Sequence, residues 1–195
     1  MKMHLKQSLS AIALCTALAA PLPALAQSRN TQQTSYGSNP HYTYGDLRLV
    51  SLDPDGPGGS ADGIRLGGSM LFQPNLFGQA SLTSVDNLDQ LDLGIGMRHP
   101  LSNHTDLVGI LGIIWADVGP QDDTGISLTG GVRSLIGPQF ELGGYVGYAE
   151  IFGDGDISLT GEGLLHVTRE LSLVASLGFS DDYDAVTLGA RWNFR

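Results

Sequence analysis

Asp184 to Phe194 reads D-A-V-T-L-G-A-R-W-N-F, and the parity of this stretch decides the fold. Val186, Leu188, Ala190, Trp192 and Phe194 share one face, while Ala185, Thr187, Gly189, Arg191 and Asn193 share the other. An apolar, aromatic-tipped face opposed by small and polar residues at period two is a strand. Tilted, a strand of about this length crosses a hydrocarbon core. Alone, the stretch reads as a half-buried strand of a soluble sandwich. Its neighbours change that reading.

From Tyr42 onward the chain repeats one unit, about ten alternating residues followed by punctuation. Ten such units stand at roughly 42–51, 62–72, 76–85, 89–99, 106–117, 123–135, 139–149, 156–167, 171–179 and 184–194. Leu91, Leu93, Ile95 and Met97 oppose Asp92, Gly94, Gly96 and Arg98; Leu171, Leu173, Ala175, Leu177 and Phe179 oppose Ser172, Ser176 and Gly178. No 3.6-residue period intervenes. The unit at 106–117 is apolar on both faces from Leu107 to Trp115, so periodicity leaves its orientation open.

The connections alternate as well. The odd ones, such as D-P-D-G-P-G-G-S-A-D, D-V-G-P-Q-D-D and S-D-D-Y-D, are rich in aspartate. The even ones, Q-P-N, P-L-S-N-H-T, I-G-P and T-R-E, are mostly tight turns built on Pro, Gly or Asn. In a run of antiparallel hairpins, one end is then acidic and the other short-turned. A soluble sandwich has no reason to sort its loops in this way, whereas a membrane barrel does.

The first residues belong to a different problem. Lys2 and Lys6, the apolar run Leu9 to Leu22, and Ala24-Leu25-Ala26 before Gln27 have the form of a cleaved secretory signal over 1–26. Gln27 to His41 is polar and aperiodic, a flexible leader before the repeating units at 42–195. Cys15, the one cysteine, falls inside the signal, which leaves the mature chain without thiol or disulfide. Cleavage also removes both lysines. Eight arginines then face twenty acids, a net charge of −12, which disfavours nucleic acid as a partner.

With the signal, the ten units, the sorted connections and the aromatic last strand in hand, the chain resembles small outer-membrane β-barrel proteins of Gram-negative bacteria. Among them it most resembles the OmpA/OmpX-like class of short barrels. The resemblance covers the chain from Tyr42 on and implies an all-β, antiparallel up-and-down transmembrane barrel of about ten strands, with eight as the alternative common in that class. It also implies residence in the outer membrane, with short turns at the periplasmic side and acidic loops outside. Trp192 and Phe194 resemble the C-terminal signal read by the barrel-assembly machinery, although here Arg195 follows the aromatic. Trp115, Tyr148 and Phe179 are expected at the outer interface, and Phe72, Phe140, Trp192 and Phe194 at the inner one.

The same parity points Asp46, Arg48, Arg65, Asp92, Arg98, Arg133, Glu141, Glu162 and Arg191 into the lumen. Charges there must be paired or solvated. Arg133 and Glu141 are equidistant from Gly137 and should face one another; Arg191 and Asp46 should meet where the barrel closes. Two readings stay open, a salt-bridged plug or a selectivity lining. In the acidic connections, Asp53, Asp55, Asp154, Asp156, Asp181 and Asp182 offer hard oxygens to Ca²⁺ or Mg²⁺. Neither D-P-D-G at 53–56 nor G-D-G-D at 153–156 completes an EF-hand, so solvated acidic loops are the simpler reading. His41 falls in the leader, and His99, His104 and His166 at the short-turn end, away from the aspartates; the three have no recognised metal-ligand spacing and read as exposed turn residues rather than a periplasmic metal site. No catalytic residue and no cofactor is expected.

The functional expectation is a structural or surface-interacting barrel, serving envelope integrity, adhesion, or contact with outer-membrane lipid and lipopolysaccharide through divalent cations. The alternative is a narrow porin-like channel for ions or small solutes. A third possibility is a soluble periplasmic barrel that binds an apolar ligand and has its faces reversed.

Overall fold

The computed structural model describes residues 40–54, 59–86, 88–119, 121–151, 153–180 and 183–194. Ten strands follow one another: β1 (Tyr44–Pro54), β2 (Ala61–Gln73), β3 (Leu76–Val85), β4 (Leu88–Pro100), β5 (Thr105–Val118), β6 (Gln121–Leu135), β7 (Phe140–Ile151), β8 (Asp154–His166), β9 (Leu171–Ser180) and β10 (Tyr183–Asn193). Each pairs antiparallel with its neighbours in sequence, and β1 pairs with β10, so the sheet is a closed barrel. Closure runs from Tyr44↔Asn193 to Pro54↔Tyr183, and it removes both sheet edges. The strand number is therefore ten.

The faces are those of a membrane barrel. On β1, Leu49 is 68% exposed while its neighbour Arg48 is 1% exposed. Leu66, Ile95, Leu111, Leu128, Val146, Leu159, Leu177 and Leu188 are likewise exposed, around the whole circumference. An apolar band of this extent is stable only against hydrocarbon. Trp115, Tyr148 and Phe179 face outward toward one end, and Phe72, Phe140, Trp192 and Phe194 toward the other, which gives the two aromatic girdles. The orientation left open by periodicity is now fixed. Leu107, Leu111, Ile113 and Trp115 of β5 face out, and Asp106, Val108, Ile110, Ile114 and Ala116 face in.

The acidic end differs from the sequence reading. Connections expected to be aspartate-rich loops are mostly occupied by continuing strand. Only residues 119–120 separate β5 from β6, and 152–153 separate β7 from β8. Asp117 and Asp122 are direct partners, as are Asp89 and Asp117, and Asp53 and Asp184. Polarity reverses in this extension. Past the upper girdle the outward positions carry Asp53, Asp89, Asp117, Asp122 and Glu150, all exposed. The inward positions carry buried Val50, Leu52, Val85, Leu88, Ala116 and Ile151. Below the girdle the barrel is apolar outside; above it the inside is mostly apolar, with half-buried Asp123 and Asp156 among the inward positions.

At the opposite end the turns are tight. Leu101 N–H bonds the Thr105 carbonyl at 2.8 Å, Ile136 that of Phe140 at 2.7 Å, and Val167 that of Leu171 at 2.9 Å. Gly137 supplies the left-handed conformation, φ 88°, that the β6–β7 turn requires.

Candidate functional site: the charged lumen

All nine charged residues assigned inward by parity have side chains in the lumen; Arg98, nearest the mouth, is half-buried and the others are buried. The sequence reading missed two further groups, Asp106 and His166. Counting Asp106, five arginines meet five acids, and their side chains form three separate groups.

The central group joins β1, β8 and β10. Arg48 donates from Nη2 to Asp46 Oδ2 at 2.7 Å and from Nη1 to Glu162 Oε2 at 2.8 Å. Arg191 Nη2 donates to Asp46 at 3.3 Å and to Glu162 Oε1 at 3.3 Å. Two guanidiniums thus alternate with two carboxylates, and Arg191 also lies 3.8 Å from the Tyr44 ring centre. Arg191 and Asp46 are register partners at the barrel seam.

A second group lies on β2, β3 and β4. Arg65 donates to Ser81 Oγ at 3.0 Å, Ser81 donates to Asp92 at 3.0 Å, and Gln90 donates to the other Asp92 oxygen at 2.9 Å. A cavity of about 10 Å³ sits between the first and second groups, lined by Tyr44, Asp46, Arg65, Gln79 and Ser81. That is room for one water.

The third group fills the short-turn end. Arg133 is ion-paired with Glu141, Nε to Oε1 at 2.6 Å. The reach is diagonal: β6 and β7 pair Arg133 with Gly143 and Leu135 with Glu141, two residues from the register that symmetry about Gly137 predicts. The difference arises because β6 ends at Leu135 and β7 begins at Phe140, an asymmetric loop about Gly137. Arg98 pairs with Asp106 at 3.2 Å. His166 corrects another expectation. It is buried, with Nδ1 2.8 Å from Ser172 Oγ and Nε2 3.7 Å from Glu141, because its even number places it on the inward face with Glu162. His99 and His104 are exposed, as expected of turn residues.

Tyr42 was expected to open the first strand. Instead β1 begins at Tyr44, and Tyr42 is wholly buried inside the barrel. Its hydroxyl donates to Asp106 Oδ2 at 2.8 Å. Its ring lies 5.4 Å from Phe77, with the Arg133 and Arg98 guanidiniums 4.7 and 5.2 Å from its centre. Arg133 Nη1 also donates to the His41 carbonyl at 3.1 Å. Pro40 and His41, assigned to the leader, therefore lead into the lumen.

Between the charges and the acidic end runs a belt of hydroxyls, with Thr83, Ser127, Thr129, Ser158, Thr160 and the Ser176–Thr187 pair at 2.6 Å. Of the described residues, Thr83 Oγ1, Gln90 Oε1, Tyr145 Oη and Thr160 Oγ1 are among the buried side-chain oxygens without a protein hydrogen-bond partner. Water is the partner left to them. Above the belt, two apolar clusters line the inward face: Leu88, Ile114, Ala116, Ala149 and Ile151 on one side, Val50, Leu52, Val85 and Ala185 on the other.

Of the candidate cation ligands, Asp53 is exposed on β1, Asp154 is exposed at the start of β8, and Asp156 is half-buried on the inward side of that strand. Asp55, Asp181 and Asp182 lie outside the described residues. Among the described residues no three His, Cys, Asp or Glu side chains converge as a metal site would require. The aromatics of the expected assembly signal, Trp192 and Phe194, both face outward on the final strand and its end.

No protein-family model matches the sequence, and no curated protein does. Solved structures do match in fold. A KdgM porin in complex with disordered oligogalacturonate aligns over 78% of this chain and 99% of its own, with TM-score 0.51 and 10% identity. A NanC porin aligns over 76% and 100%, with TM-score 0.51 and 11% identity. The shared property is the fold, an antiparallel membrane β-barrel of the porin kind.

Proposed function

We propose that this chain is a narrow channel of the Gram-negative outer membrane, passing ions or small solutes, with a lumen that is closed at rest. The observation that carries this reading is the polar lumen. A barrel needing only to hold itself together would be as stable, or more so, with apolar side chains in place of buried ion pairs. This one retains five arginines, five acids and a hydroxyl belt whose buried oxygens call for water. The fold shared with two porins supports the same reading. One of them is described in complex with oligogalacturonate, an acidic sugar polymer; the arginines here suit anionic solutes, and the matched acids argue against strong charge selection. Purified protein in planar bilayers is expected to give small discrete conductance steps, altered by Arg65→Ala or Glu162→Gln. Silence across the voltage range, for protein shown to be folded, would overturn the channel reading.

A structural or surface-contact role is the second reading, favoured by closure of the lumen: Arg48, Arg133 and Arg191 are each 1% exposed. In that version the ion pairs brace the wall. The exposed carboxylates of the acidic end meet water or, through divalent cations, lipopolysaccharide phosphates. Orientation follows from the same proposal, with the short turns in the periplasm and the acidic rim outside. Delivery by a cleaved signal at 1–26, and insertion by the barrel-assembly machinery through Trp192 and Phe194, complete it. We assign no enzymatic step.

A further inference from the structure

We infer that Pro40–Tyr42 is a built-in plug, seated across the lumen by a cage around the Tyr42 ring, and that its withdrawal opens the passage. This rests on the channel reading above. The geometry behind it is a crossing. Tyr42 leaves the foot of β1, yet its partners stand on the far wall: Asp106 on β5 and Arg133 on β6, halfway round a ring of ten strands. Arg98 and Phe77, on β4 and β3, complete the cage. A side chain anchored at one wall and bonded to the other obstructs the bore between them.

The seat is made so that it can be vacated. Arg98 has Asp106 without Tyr42, and Arg133 has Glu141. Removing the ring therefore leaves no buried charge alone, so the large cost of orphaning a buried charge does not arise. A hinge is also in place. The Phe194 N–H holds the Thr43 carbonyl at 2.8 Å, so the chain is fixed to the wall one residue after the plug. Rotation between Tyr42 and Thr43 swings the ring out without unpairing β1 from β10.

The test uses the mature protein from Gln27 on, which has no cysteine of its own, with folding of every variant verified by its gel shift on boiling. Tyr42→Ala should raise single-channel conductance severalfold, whereas Tyr42→Phe, which keeps the ring, should resemble the wild type. The second readout does not need conduction. Val108→Cys puts a thiol on the buried inward face of β5, beside the seat. A membrane-impermeant maleimide should label it severalfold faster when Tyr42→Ala is present. Equal labelling with and without the ring would overturn the plug, whatever the conductance. Faster labelling in a barrel that never conducts would uphold the plug and overturn the channel reading instead.

Discussion

The Arg133 guanidinium is shared among partners of different kinds, the Glu141 carboxylate, the Tyr42 ring and the His41 carbonyl, in a lumen where none is replaceable by bulk water. Arg133→Ala leaves Glu141 buried without the arginine it is bonded to, with His166 Nε2 3.7 Å away. The expected loss is about 3–5 kcal/mol of unfolding free energy, read by denaturant titration of the refolded barrel. Changing both residues to leucine should lose much less, because no orphaned charge remains. Equal stability of Arg133→Ala and wild type would sink the pairing. The partnership was legible in the sequence through Gly137, although the register was not: symmetry about a glycine does not say how many residues on each side leave the ladder. Asp106 was legible as well, and missed. Placing Trp115 on the outer girdle makes odd positions of β5 outward and Asp106 inward. His166 was overlooked because it sits at a strand end, where turn and strand readings overlap. The crossing of Tyr42 was not legible at all, since it depends on partners 64 residues away in sequence.

Strands were found nearly where alternation put them, and their acidic ends were the systematic error. Aspartate is depleted in strands, so a run such as D-V-G-P-Q-D-D reads as loop. In the barrel its backbone is held by neighbouring strands; Asp117 and Asp122 face outward into water, while the inward positions carry Ala116, Val118 and half-buried Asp123. Pairing overrode propensity. The opposite condition holds in the middle of β10, where Leu188 is 58% exposed within the apolar band. Leu188→Arg there should cost about 2–4 kcal/mol, the depth-dependent penalty for a cation on the lipid face. Its neighbour Thr187 faces the lumen, bonded to Ser176. Thr187→Ser should cost far less in the same titration. If Leu188→Arg were neutral, that face of β10 would not meet hydrocarbon.

For the whole molecule, ten hydrogen-bonded seams leave no strand edge from which unravelling can begin. The folded barrel should therefore survive detergent without boiling and migrate differently on a gel from the boiled chain, with β-rich circular dichroism before heating. No shift, with the protein recovered soluble, would reverse the faces and favour a secreted barrel with an apolar interior. The class of fold was legible because period two recurs ten times with sorted connections. The resting state of its bore was not, because closure depends on which side chains meet across the lumen, and alternation tells only that they point there.

The reversal of polarity above the upper girdle also fixes how deep the molecule floats. Sinking by one strand repeat, about 6–7 Å along the strand, would drag Asp89, Asp117 and Asp122 below the waterline. Rising by the same amount would pull Arg169 and Glu170, at the lower turn, into the hydrocarbon. Charges thus stop travel in both directions, so this barrel has a draught line. In a bilayer of the wrong thickness it is the lipid that must stretch or thin to meet it.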